Sequence, residues 1–295
     1  MRNCVICRKD KEEFNTEHII PDSIGGTLII DSVCTECNSK LGSKVDKHLV
    51  NHFFFVAKRE SLQLKSQNNL IPNSFDTQTF FLKSDTKQHL RFEKDLNRFK
   101  LIPKVKKNGV SFDINDTKNI KKYCKKHKLN ISQFDIFNVS NQLIGEIKID
   151  TININIALLK IAYEFAIKEL PYYYEDKNAK IISSKIYDVA YGSANPNVID
   201  TSGVWLHSTL LESNKFDLFR KYIDLDSNNH LMILYSHKNL GLFCDIKIFD
   251  VIYFSVQLSE NMFDIDIMVF ENELENRDNK VESLIEFIFR KTVNP

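Results

Sequence analysis

Apolar residues near the start of the chain come in short groups, and their periods lengthen towards the C-terminus. Ile19-Ile20 and Leu28-Ile29-Ile30 flank a turn containing Gly25-Gly26, a pattern that predicts a β-hairpin. Leu41, Val45 and Leu49 follow at i, i+4 and i+8, the spacing of a helix with one apolar stripe, although Gly42 weakens it. Residues 76–115 alternate polar and apolar types, as in Phe80-Phe81-Leu82 and Phe99-Lys100-Leu101-Ile102, and predict antiparallel strands. Lys118 to Lys128 reads as a short basic helix. From Asn153 to Leu170, Ile154, Ala157, Leu158, Ile161, Ala162, Phe165, Ala166 and Leu170 predict a helix with a broad apolar face. The runs His230–Tyr235, Leu242–Phe249 and Val251–Leu258 predict a β-meander, and a last helix is expected over Val281–Arg290. The expected class is α+β.

A length of 295 residues with 43% hydrophobic content supports one large domain or two and excludes a wholly disordered chain. No segment approaches the roughly 18 consecutive apolar residues of a membrane helix. The first fourteen residues lack the apolar run of a secretory signal. A cytoplasmic protein with no membrane partner is therefore expected. The net charge of +1 conceals an uneven distribution. Between Lys83 and Lys128 there are fifteen Lys and Arg against five Asp and Glu, whereas from Leu211 onward nine basic residues face fifteen acidic ones. The central segment is suited to phosphates, and the plainer reading is a solvated lysine-rich surface.

The cysteines carry more information. Cys4-Val5-Ile6-Cys7 and Cys34-Thr35-Glu36-Cys37 are two C-x2-C knuckles separated by 26 residues. Each knuckle aims two sulfurs at one point, and two of them supply the tetrahedral shell of structural Zn2+. A disulfide framework is the weaker reading, since the remaining Cys124 and Cys244 stand far apart and no secretory signal is present.

Between and after the knuckles stand Glu17-His18-Ile19-Ile20-Pro21, Ser23-Ile24-Gly25-Gly26, Val33 before Cys34, Asn38 after Cys37, and Asp46. In that order, with the knuckles, they resemble the zinc-containing branch of the HNH endonucleases, whose ββα-metal module cuts phosphodiester bonds. The resemblance covers residues 1–50, about a sixth of the chain. It implies Glu17 as the first ligand of a catalytic cation, His18 as general base and Asn38 as the second ligand.

The residue types suit those roles. Histidine is the side chain whose unperturbed pKa, about 6.5, fits a base at physiological pH. A carboxylate and an amide oxygen are hard ligands for Mg2+ or Mn2+. Adjacent strand residues face opposite ways, so Glu17 and His18 share a site only if the strand bends or ends there, as Pro21 suggests. Where many family members carry a middle Asn that orients the His, this chain has Asp31-Ser32. Asp31 is a candidate for that task or for added metal affinity. Asp46 matches a family acid and is either a distal ligand or a helix-surface partner for a lysine.

The expected protein is a metal-dependent endonuclease acting on nucleic acid, with double-stranded DNA as partner, in bacterial or phage defence or restriction. Residues 1–52 are expected to form the nuclease module. Residues 53–295 form an α+β part with an antiparallel sheet for targeting, regulation or oligomerisation, with a division near 150. Cutting both strands with a single-site module takes two copies, hence a homodimer. The alternatives are a non-catalytic zinc-stabilised DNA-binding protein and a ligand-gated effector whose nuclease is dormant until triggered.

Overall fold

The structure is a computed structural model and describes residues 2–65, 69–74, 153–194, 227–275 and 278–293. It also describes residues 122, 125 and 126 and the backbone of short strands between 79 and 146 and at 206–208. The basic helix expected over Lys118–Lys128 lies, apart from three residues, outside this set, as does Cys124.

Two small ladders build the N-terminal part. β1 (Arg2–Asn3) pairs antiparallel with β2 (Asp10–Lys11) around the first knuckle. β3 (Glu17–His18) pairs antiparallel with β4 (Ile29–Ile30), setting Glu17 opposite Ile30 and His18 opposite Ile29. A 3-10 turn at Asp22–Ile24 lies between them and ends at Gly25, whose φ of +91° favours glycine. A Cβ on Gly26 would fall 1.9 Å from the Ile20 carbonyl oxygen. Both glycines of the expected hairpin are therefore required by shape.

The helix that follows is longer than its apolar stripe predicts. α1 (Thr35–Leu41) runs through one wider i→i+5 turn at Gly42–Asp46 into α2 (Lys47–Val50). Leu41, Val45 and Leu49 are all buried. Such widened turns recur at functional positions, and this one carries the buried Asp46. α3 (Phe53–Ser61) then sets Phe55 against Phe249, with ring centroids 6.0 Å apart.

The strands expected over 76–115 are β5 (Thr79–Leu82), β6 (Lys87–Glu93), β7 (Arg98–Leu101), β8 (Lys104–Lys106) and β9 (Gly109–Asp113). They are joined by β10 (Asp135–Phe137) and β11 (Leu143–Glu146) in two sheets, ordered β11-β5-β6-β7 and β10-β9-β8. Their pairing is antiparallel except for β10 with β9.

Two helices, α4 (Ile154–Glu169) and α5 (Lys177–Ala190), precede the main sheet. Its strands are β12 (Leu206–Ser208), β13 (His230–His237), β14 (Gly241–Ile248), β15 (Ile252–Ser259), β16 (Met268–Glu273) and β17 (Asp278–Ser283). The order is β12-β15-β14-β13-β16-β17, all antiparallel, with the expected meander at its centre.

The last helix, α6 (Leu284–Val293), starts later than Val281 because residues 281–283 pair with β16. Ser283 and Glu286 set that start. The Glu286 N–H donates to Ser283 Oγ at 3.3 Å while the Ser283 N–H donates to Glu286 Oε2 at 2.9 Å, a reciprocal cap.

One apolar core runs from Cys4, Ile19 and Leu41 through α4 to Met232, Ile246 and Phe254 of the sheet. α4 touches the 42–50 helix as well as β14 and β15, so it is buried nearly all round rather than on one face. A second cluster of Leu231, Ile233, Val269 and Phe287 packs α6 on the sheet's other side.

Candidate active site and metal centre

The sulfurs of Cys4, Cys7, Cys34 and Cys37 lie within 4.8 Å of one another, and none of the four is in a disulfide. Sulfurs about 2.3 Å from a tetrahedral metal stand about 3.8 Å apart, so the four fit around one ion. The first knuckle is closed by the Cys4 N–H donating to the Lys9 carbonyl (3.0 Å) and the Arg8 N–H to the Cys4 carbonyl (2.9 Å). The Arg8 guanidinium lies over the Tyr174 ring and donates to Ser183 Oγ on α5, fastening the knuckle to the following layer. A hydrogen bond from Cys37 lowers the Cys4 thiol to about 4, and the same contact pushes Cys37 far up. Sulfurs this close force one another to keep protons, and a cation is what lets all four ionise.

The second feature is a cavity of about 470 Å³ whose walls include Glu17, His18, Asn38 and Asp46. β3 is two residues long and ends at His18, which allows both of its side chains to line one cavity. His18 Nδ1 donates to the Gly26 carbonyl at 3.2 Å. A carbonyl only accepts, so Nδ1 holds the proton and Nε2 keeps the free lone pair. The Asn38 Nδ2 donates to the Thr16 carbonyl at 2.9 Å, which leaves the amide oxygen as the ligand atom.

Glu17 is buried and forms an ion pair with Lys160 of α4, a side chain with no exposed surface. Lys160 Nζ also lies 3.2 Å from Glu164 and 3.6 Å from Asp46. It donates to the carbonyls of His18 (2.9 Å) and Ile19 (3.3 Å). Burial pushes the carboxyls of Glu17, Asp46 and Glu164 up, against the pull of Lys160. Burial also acts to lower Lys160, but Asp46, Glu164 and Glu17 outweigh it and raise the ammonium. Three carboxylates thus share one ammonium. Apart from these ion pairs with Lys160, Asp46 Oδ1 and both Glu164 oxygens have no hydrogen-bond partner among the described residues.

Residues 4–54 match the model of the HNH endonuclease family. No curated protein and no solved structure matches the chain. In this HNH module Glu17, His18, Asn38 and Asp46 border the same cavity, and the four cysteines form a separate cluster. Asp31 is not among the cavity's lining residues. It is exposed, and its carboxylate accepts from Thr16 Oγ1 at 3.5 Å. Contact with the His18 ring is made by the Gly26 carbonyl, an atom that no side-chain motif reveals.

The turn bearing that carbonyl is itself gripped by the sheet. Buried His230 donates from Nε2 to the Ile24 carbonyl (2.8 Å), and Asn272 Nδ2 donates to the Gly25 carbonyl (2.8 Å). Thr27 Oγ1 donates to Asn272 Oδ1. None of these partners carries a sequence signal. Lys160 carries one that is easy to overlook: with Glu164 it forms an i, i+4 charged pair inside an otherwise apolar run. Among the described residues, no helix is long and apolar enough to cross a membrane.

Proposed function

We propose that this chain is a metal-dependent endonuclease hydrolysing phosphodiester bonds of nucleic acid, with double-stranded DNA as substrate. The observation that carries the reading is His18 Nε2, free to accept a proton, bordering one cavity with the Glu17 carboxylate and the Asn38 amide.

Glu17 and Asn38 would hold Mg2+ or Mn2+. The surplus of acid over ammonium makes the donor set suitable for a divalent cation. When bound, that cation supplies positive charge next to the phosphate as negative charge builds there. His18 takes a proton from water as the water oxygen bonds to phosphorus and the bond to the leaving oxygen breaks, and solvent returns a proton to that oxygen. The Gly26 carbonyl then steadies the imidazolium through Nδ1–H. Lys160 opposes the rise that burial imposes on the Glu17 carboxyl and ties down the backbone at His18 and Ile19. The four cysteines hold a structural Zn2+. Residues 53–295 serve targeting, regulation or oligomerisation, and the biological setting is bacterial or phage defence or restriction.

A ligand-gated nuclease is the second reading, favoured by the Lys160–Glu17 pair itself. An ammonium from outside the matched span already neutralises the carboxylate that a cation needs.

Supercoiled plasmid incubated with Mg2+, Mn2+ or EDTA, beside a His18→Ala chain, tests both readings. Metal-dependent nicking that vanishes with His18→Ala supports the first. Nicking that appears only after an effector is added supports the second. Cutting that persists with His18→Ala refutes the assignment of the base.

A further inference from the structure

We propose that Arg59, outside the span matched to the HNH family, is the residue that binds the phosphate in this cavity, its guanidinium receiving the oxygens of the phosphodiester opposite His18. The proposal deepens the nuclease reading and rests on it.

Arg59 lies on α3 and lines the same cavity as Glu17, His18 and Asn38. It is only 4% exposed. Its Nε has no hydrogen-bond partner among the described residues, and no carboxylate among them forms an ion pair with it. Burial alone acts on it, pulling the guanidinium below its ordinary value.

A buried cation without a counter-charge is costly, and folded chains satisfy such groups with a partner or a ligand. Glu17 and Asp46 of the wall face Lys160, and among the described residues neither they nor Asp22 forms an ion pair with Arg59. Among the described residues, Arg59 is thus without an anionic partner. Guanidinium is planar, permanently charged and weakly hydrated, and its fork matches two oxygens of one phosphate, which suits it to a half-enclosed phosphodiester site. The cavity then has two functional sides. Glu17 and Asn38 offer oxygen ligands to a cation, Arg59 offers donors to the phosphate, and His18 lines the same cavity as the base.

The test uses the full chain with zinc, melted in chloride and in inorganic phosphate at equal ionic strength, as wild type, Arg59→Met and Arg59→Lys. Expected is a phosphate-induced rise in melting temperature for the wild type that is lost in Arg59→Met and partly kept in Arg59→Lys. In chloride, Arg59→Met should melt no lower than the wild type, because the buried charge it removes has no counter-charge among the described residues. With plasmid and Mn2+, Arg59→Met should cut about ten- to a hundredfold more slowly, the worth of one charge-assisted hydrogen-bonding group. An unchanged phosphate shift in Arg59→Met overturns the proposal, as does a wild type that phosphate does not stabilise. If plasmid stays intact with every protein while the phosphate shift disappears in Arg59→Met, Arg59 keeps its role and the nuclease reading falls instead.

Discussion

Replacing Lys160 by Met removes the only ammonium that the described residues place among Glu17, Asp46 and Glu164, while keeping a side chain of similar volume. The pocket is closed to water at this point, for Lys160 and Glu164 have no exposed surface. Breaking a buried ion pair by deleting one partner costs about 3–5 kcal/mol. Here three acids and the carbonyls of His18 and Ile19 lose the same donor, so the upper half of that range is expected at pH 8. That is a large part of the roughly 5–15 kcal/mol that holds a domain together.

The sign of the pH dependence follows from the acids. Their folded-state pKa values are already raised by burial, and loss of the ammonium raises them further. A raised acid contributes stability that is present at low pH and disappears as pH climbs through its folded-state value. The penalty of Lys160→Met should therefore be largest at pH 8 and shrink towards pH 5.5. Urea denaturation followed by circular dichroism at both pH values measures it, and the Lys160→Met/Glu164→Leu double variant should recover part of the loss. A penalty below about 1 kcal/mol that is the same at both pH values, with the double variant merely additive, would refute the claim that this ammonium neutralises the buried acids.

Three further outcomes are expected. Cys34→Ser should lose the bound metal and unfold the first fifty residues, because four sulfurs converge on one point; a folded, metal-free variant in metal analysis and circular dichroism contradicts the structural role. Burial holds His230 down to about 4, so its contribution is complete above about pH 6.5 and lost as pH falls towards 4. The stability gap between wild type and His230→Phe should accordingly narrow by about 3 kcal/mol across that window in denaturant titrations, and a constant gap excludes a neutral buried imidazole. Gly26→Ala drives a methyl to within 1.9 Å of the Ile20 carbonyl oxygen and displaces the carbonyl that steadies His18, so plasmid nicking should drop more than tenfold; an unaltered rate in a folded variant separates the Gly26 carbonyl from catalysis.

Legibility in the sequence divides along the same physical lines. The cysteine knuckles, Glu17-His18 and Asn38 declare themselves because short-range chemistry fixes both residue type and spacing. The meander declares itself because its apolar runs meet a core on at least one face. What is hidden depends on distance. The periodicity of α4 describes a helix with one apolar face, whereas the real helix is enclosed by the HNH module and by β14 and β15, and encloses a lysine that no apolar pattern singles out. The start of α6 is displaced because Ser283 and Glu286 form a cap that outranks the apolar residue at Val281.

This hidden part is also where the two halves of the chain become one device. The strand that carries His18 is held by Lys160, which donates to the carbonyls of His18 and Ile19. The turn whose Gly26 carbonyl meets the His18 ring is tied from the sheet by His230 to Ile24 and by Asn272 to Gly25. A shift of the sheet relative to α4 therefore cannot leave the His18–Gly26 distance of 3.2 Å untouched, since its two ends hang from different elements. Small displacements at such a donor–acceptor pair alter rate steeply. Asn272 grips the turn without lining the cavity, so under the proposed function substitutions at Asn272 should change kcat for plasmid nicking while leaving the metal content of the cysteine cluster at the wild-type level.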